Sequence, residues 1–220
     1  MLSHEKKLKI IAIGAHPDDI ELACGGTIAS AVEKGHDVCM VIVTGAASKD
    51  HHDNFIRTDD EARDEQLAAA AALGVTDVRI LGFEDMCVPY SKDLVSVLDR
   101  IINEFKPDLT LTHFVFDTHQ DHIRTAQATL SAARKQNTVM LYEPINPSGR
   151  GYVAFRPQVY FDISSTIDKK IASLKEHRSQ YRKYGETWIE ALQSRAKFRG
   201  FEMGAEYAEC FELIRMEYVL

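Results

Sequence analysis

The chain has 220 residues, 45% hydrophobic and 27% charged, a balance that suits one globular domain (1–220) and argues against intrinsic disorder. A formal net charge of −7 makes backbone-driven nucleic-acid binding a poor fit, because that needs basic surface. The longest apolar runs fall far short of the ~20 residues that cross a bilayer, and no apolar signal-peptide core precedes the first strand, so the expected location is the cytoplasm.

Strand-like and helix-like segments alternate. Residues 9–14 (KIIAIG) are a short apolar run, read as a buried strand, and 21–34 carry Leu22, Ile28, Ala29 and Val32 near one helical face before Gly35. Residues 37–44 (DVCMVIVT) are a second buried strand. The polar stretch 46–58, with His51, His52 and Asp53, reads as a loop. An alanine-rich helix over 60–73 ends at Gly74, and a third strand covers 78–81. A helix over 91–105 precedes Pro107, and a fourth strand covers 109–113 (LTLTH). A helix over 123–134 and a strand over 139–142 continue the alternation. The last third reads as a strand at 158–163, helices at 165–184 and 186–200, and a closing edge strand at 211–219. This order implies right-handed βαβ units and an α/β fold: a mostly parallel sheet with helices on both faces. Ligands of such sheets sit beyond the carboxyl ends of the strands. The four cysteines (Cys24, Cys39, Cys87, Cys210) are scattered without a CxxC pair, so neither a disulfide framework nor a zinc ribbon is expected.

Two clusters fall at that edge. His16-Pro17-Asp18-Asp19 follows the first strand; Asp117-Thr118-His119-Gln120-Asp121-His122 follows the fourth. Imidazoles and carboxylates are the usual ligands of a catalytic zinc, which keeps one position open. Pro17 holds His16 extended. Asp18 and Asp19 are adjacent, so their side chains diverge: one can bind a metal while the other faces its open position. His119 and His122 lie three apart, and spacing leaves open which of them is the ligand. The plainer reading makes Asp18 or Asp19 a helix N-cap and the His–Asp pairs surface hydrogen bonds. Gly25-Gly26 breaks the helical pattern, at ~1 kcal/mol per glycine, unless the helix begins after it. No GxGxxG follows the first strand, so a dinucleotide fingerprint is missing there.

Residues 15–29 (AHPDDIELACGGTIA), followed far downstream by HQDH at 119–122, resemble the zinc-dependent de-N-acetylase family of N-acetylglucosaminyl-phosphatidylinositol deacetylase and LmbE-like proteins. The resemblance continues through Glu65, FDIS (161–164), HRSQ (177–180) and the AEYAE tail (205–209), nearly the whole chain. It implies a Rossmann-like fold and removal of acetyl groups from N-acetylglucosamine-type sugars or their conjugates. It further implies Zn2+, or another divalent metal, held by His16, Asp19 and His122, with Asp18 as general base. His119, supported by Asp121, would stabilise the oxyanion or deliver a proton, the Asp121 carboxylate favouring the imidazolium. It also suggests a homo-oligomer, a trimer or hexamer. Gln120 replaces the proline of many members, which should alter loop stiffness more than chemistry. The arginine near the second helix is displaced by one position, so Arg63 or Arg57 takes the substrate-clamping place. Tyr142-Glu143-Pro144 and the loop 146–152 are candidate pocket walls, with Tyr142 a candidate substrate contact. His113 reads as core or as a support for the site. His177, Arg178, Arg182 and Lys183 could meet a phosphate on the substrate but read first as a solvated helix face, and Trp188 and the aromatics of 198–201 as packing or subunit contacts. Other readings stay open: an amidase on another N-acyl conjugate, a non-catalytic sugar- or nucleotide-binding module, and a metal-dependent phosphoesterase.

Overall fold

The computed structural model describes residues 6–45, 48–49, 55–145 and 151–217. In chain order the elements are β1 (Lys9–Gly14), α1 (Asp19–Glu33), β2 (Asp37–Thr44), β3 (Ser48–Lys49), β4 (Phe55–Arg57), α2 (Asp59–Leu73), β5 (Asp77–Phe83), α3 (Lys92–Phe105), β6 (Leu109–Thr112), α4 (Gln120–Ala132), β7 (Val139–Tyr142), β8 (Val159–Asp162), α5 (Ile167–Glu176), α6 (Arg178–Tyr184), α7 (Glu186–Met203) and β9 (Ala208–Arg215). Seven strands form one sheet in the order β5-β2-β1-β6-β7-β9-β8, and β3 pairs antiparallel with β4. The first five strands of that order run parallel; β9 is antiparallel to both its neighbours.

Alternation along the central strands explains their continuous apolarity. Ile10 and Ala12 of β1, with Met40 and Ile42 of β2, face α1 and α2 through Ile20, Ile28 and Leu73. Ile11 and Ile13, with Cys39, Val41 and Val43, face α3 and α4 through Leu94, Leu98, Ile102 and Ala132. Both faces are covered, so every position after the first of each strand is buried. The expected edge strand 211–219 is corrected. The strand is Ala208–Arg215 and lies inside the sheet, between β7 and β8. Its Glu209 and Glu212 are buried, which breaks the apolar pattern that marks an interior strand.

Parallel register brings the strand ends level: Ile13 pairs with Val41 and with Thr112. The residues after β1 and β6 therefore emerge side by side. The Ala15 N–H donates to His113 Nε2 at 2.9 Å, and Ala15 O accepts from the Thr44 N–H and hydroxyl, each at 2.9 Å.

Helix α1 begins before Gly25-Gly26 and breaks at Cys24 (φ −142°, ψ 20°). The break frees the amides of Gly26 and Thr27, and Glu209 accepts both, at 3.0 and 2.7 Å. Lys170 Nζ pairs with Glu209 and donates to the Leu22 carbonyl, 2.7 Å. A buried ion pair thus satisfies both sides of the break. Gly26 is required by close approach, since a Cβ there would sit 2.7 Å from Ile163 Cδ1. The expected single helix 165–184 is likewise two helices, parted at buried His177. Glu65 of α2 receives the Ser179 N–H (2.7 Å) and hydroxyl (2.6 Å), satisfying the first turn of α6. Among the described residues no helix is long and apolar enough to cross a membrane.

Candidate metal and catalytic site

The carboxyl ends of β1, β5, β6 and β7 open into a cavity of about 540 Å3, whose lining includes His16, Asp18, Asp19, Asp85, His119 and His122. Asp19 is its hub. Its Oδ2 accepts the His16 N–H at 2.7 Å and lies 3.4 Å from His16 Nδ1; its Oδ1 lies 3.2 Å from His122 Nε2. One carboxylate thus spans two imidazoles from segments about a hundred residues apart in sequence. Ligand-type atoms of His16, His119 and His122 also lie within 4.8 Å of one another, as do those of Asp19, His113 and His122.

The far nitrogens of the two imidazoles are held by carboxylates. Asp117 Oδ2 lies 2.9 Å from His122 Nδ1, and Asp121 Oδ2 and Asp85 Oδ1 each lie 3.1 Å from His16 Nε2. Metal-binding histidines are commonly oriented this way, leaving the other nitrogen for the ion. Burial disfavours charge on His16, but Asp121, Asp19 and Asp85 outweigh it and push its pKa well up. Burial works the same way on His122, and Asp19 and Asp117 raise it to about 9. Burial would raise Asp19, yet His122 and His113 hold it well below the usual carboxylate range. Protons here supply the positive charge that a cation would bring, so the donor set fits a divalent ion.

Asp18 is placed differently. Its backbone is left-handed (φ 102°, ψ −25°), a strained state for a residue with a Cβ. Its side chain caps nothing, and no hydrogen bond from a described residue reaches the carboxylate. Asp18 occupies the N-cap position of α1, but capping does not account for its carboxylate. Burial, then the charge of Asp19, raise it to about 6.

The pairing of His119 with Asp121 needs correction. The Asp121 carboxylate is turned to His16 and to the N–H groups of Met86 (2.7 Å) and Val88 (3.1 Å). Only the Asp121 backbone N–H meets His119, donating to Nδ1 at 3.2 Å. An accepting Nδ1 puts the proton of the neutral ring on Nε2. Burial, with the charges of His122 and His16, lowers the His119 pKa and so disfavours the imidazolium. Gln120 does more than alter stiffness, because its amide donates to the Met86 carbonyl and ties α4 to the β5–α3 loop.

Arg57 is buried on the cavity wall, Nη1 3.7 Å from Glu65 Oε2, whereas Arg63 is exposed on α2 and away from the lining. Tyr142 lines the cavity, but its hydroxyl proton goes to the Ile13 carbonyl (3.0 Å) and its ring meets His113 edge-on, so it serves as a wall. His113 stacks on His122 at 4.1 Å; burial, then the His122 charge, push it down to about 4. Glu143 and Pro144 line the cavity. Burial raises Glu143, but Arg199 and Arg195 outweigh it and keep it ionised and paired. His51, His52 and Asp53 lie outside the described residues, as do 146–150 of the expected wall loop; Tyr152 is 93% exposed. His177 is fully buried rather than solvated, while Arg178 and Arg182 are exposed. Lys183 is exposed but lines the cavity, as the substrate-contact alternative to a solvated face allowed, and Trp188 packs on the Leu174, Ile189 and Leu192 cluster, as expected, while also lining the cavity. The sequence reading missed Asp85, whose one signal is its place after β5 at the ligand-binding edge.

The family model described as PIG-L: GlcNAc-PI de-N-acetylase matches residues 11–133, more than half of the chain. An Escherichia coli (strain K12) protein named uncharacterized deacetylase YaiS is 34% identical over 184 residues, 80% of this chain and 94% of that protein. The diacetylchitobiose deacetylase of Thermococcus kodakarensis is 25% identical over 223 residues, 91% of this chain and 81% of that one. GalB, the 4-carboxy-2-hydroxymuconate hydratase of Pseudomonas putida KT2440, superposes with a TM-score of 0.82 at 22% identity, covering 98% of this chain and 99% of that one, and so shares the fold.

Proposed function

The chain belongs to the PIG-L (GlcNAc-PI de-N-acetylase) family, and from that premise we propose that it is a metal-dependent hydrolase removing the acetyl group from an N-acetylglucosamine-type amino sugar or its conjugate. One observation carries the reading. Adjacent aspartates have opposite surroundings: Asp19 is bound between His16 and His122, while Asp18 has no hydrogen-bond partner among the described residues and a strained backbone at the cavity. His16, Asp19 and His122 would hold the ion, for which zinc suits the nitrogen and oxygen donors. When bound, the ion would supply Lewis acidity, acidifying a nearby water and polarising the amide carbonyl.

The chain's own groups do the rest. Asp18 takes the proton of the attacking water and returns it to the amine nitrogen as the C–N bond breaks, releasing acetate and the free amino sugar. His119 donates a hydrogen bond from Nε2 to the oxyanion forming on the former carbonyl, with no need of a second proton on the ring. Asp117 and Asp121 keep the two ligand imidazoles aimed. Arg57, on the wall and paired with Glu65, would turn its guanidinium to a sugar hydroxyl or an acidic substituent.

The test is acetate release from a panel of N-acetylated amino sugars by zinc-loaded protein, lost with chelator and restored by zinc. A hydratase on the same fold gives the second reading. No acetate from any member of the panel, together with metal-dependent addition of water to an unsaturated dicarboxylate, would establish it instead. Release of a different acyl acid would mark an amidase on another N-acyl conjugate.

A further inference from the structure

One ring nitrogen gathers groups from three segments of the chain. His16 Nε2 lies 3.1 Å from Asp121 Oδ2, in the first turn of α4, and 3.1 Å from Asp85 Oδ1, in the loop after β5. The same two oxygens accept the Met86 N–H, at 2.7 and 2.9 Å. The aim of the His16 imidazole therefore depends on where the Met86 backbone stands. Met86 is left-handed (φ 61°), one of three residues with a Cβ at positive φ among those described, and its side chain is 55% exposed, so packing does not fix it there. Its carbonyl supplies the missing restraint by accepting a hydrogen bond from Gln120 Nε2. Helix α4 thus holds Met86 at both ends, Asp121 taking its N–H and Gln120 donating to its C=O. Gln120 opens α4, is exposed, and lies outside the cavity lining.

A residue with a Cβ stays left-handed only where its surroundings over-determine it. The N–H contacts leave the peptide that follows Met86 free to turn; the Gln120 bond fixes it. We propose that Gln120 is a positioning residue for the metal site. By holding the Met86 carbonyl it keeps the Asp85–Met86 turn in place, and through that turn it keeps the Asp85 and Asp121 carboxylates arranged so that His16 Nδ1 faces the ion. Outside the lining, Gln120 touches neither the ion nor the substrate. The inference rests on the reading of His16 as a ligand, and not on which bond is hydrolysed.

The test is the zinc affinity of the full chain, read by competition with a chromophoric chelator. Gln120→Met keeps the length and neutrality of the side chain but lacks the donor. The expected loss of zinc affinity is about three- to tenfold, the size of one net hydrogen bond. The urea unfolding midpoint of the metal-free protein should not move, because the residue is exposed and methionine has a similar helix propensity. Met86→Gly separates positioning from general damage. Glycine enters the left-handed region without steric cost, so in Met86→Gly protein the Gln120→Met change should weaken zinc by less than about twofold. Unchanged zinc affinity in Gln120→Met, or an equal loss with and without Met86→Gly, would overturn the proposal and leave the ligand assignment intact. A KM raised in Gln120→Met at saturating zinc would make Gln120 a substrate contact and overturn it as well. His16→Ala is the control for the ligand assignment: zinc held there as tightly as in the wild type would overturn both.

Discussion

Two of the molecule's buried acids, Glu209 and Asp19, are partnered on opposite plans. Around Glu209 every oxygen is spent on donors with fixed protons: the amides of Gly26 and Thr27, the Thr27 hydroxyl and the Lys170 ammonium. The neighbouring void is about 20 Å3, room for roughly one water. Around Asp19 the partners are imidazoles, whose nitrogens can exchange a proton for a metal, beside a cavity of about 540 Å3. Both lie in the interior; the kind of partner and the adjoining space separate a joint from a reaction site. The two meet through α1, because the break that Glu209 and Lys170 stabilise lies five residues after Asp19.

That contrast can be broken by mutation. The largest expected effect is at the site: Asp18→Asn should lower turnover by about 10²–10⁴-fold while metal analysis finds ion content unchanged. Wild-type turnover in that variant would move the base elsewhere. Next, Glu209→Leu leaves Lys170 buried and unpaired and two amides uncapped, so urea unfolding should show a loss of about 3–5 kcal/mol. The folded fraction should still bind zinc; weakened zinc binding at unchanged stability would mean that the Glu209 nest belongs to the site. Asp117→Asn sits between these extremes. It should weaken zinc binding by about 10–100-fold, read by competition with a chromophoric chelator, with little change in unfolding. The smallest effect belongs to Arg63→Ala: stability within about 0.5 kcal/mol and unaltered kcat/KM, whereas Arg57→Ala should raise KM. A larger effect at Arg63 than at Arg57 would reverse their assignment.

Strands β1 and β2 were legible because parallel strands covered on both faces read as nearly continuous apolar runs, and β6 (LTLT) because its leucines alternate with β-branched threonines. The His16–Asp19 and His119–His122 clusters were legible because each follows such a strand. The place of β9 was not, because its buried acids read as a solvent face. They are affordable only through partners remote in sequence: Lys170 for Glu209, and Arg156 for Glu212 (2.6 Å). Asp85 was invisible for the same reason. A lone acid in a polar turn carries no local mark, and only folding brings it to His16. The orientation of Asp121 also escaped, since adjacency in sequence to His119 and His122 says nothing of where a carboxylate points once the amides of Met86 and Val88 are in reach.

Local pattern alone determined the α/β alternation, the edge where chemistry gathers, and the residue types able to hold a divalent ion there. Tertiary structure decided which of two adjacent aspartates is bound and which meets no hydrogen-bond partner among the described residues, which carboxylate steadies which imidazole, and that Trp188 lines a cavity while packing on Leu174, Ile189 and Leu192. Periodicity encodes which face of an element is buried. The partner of a polar atom depends on groups scores of residues away, and only the packed chain brings them within a hydrogen bond's length.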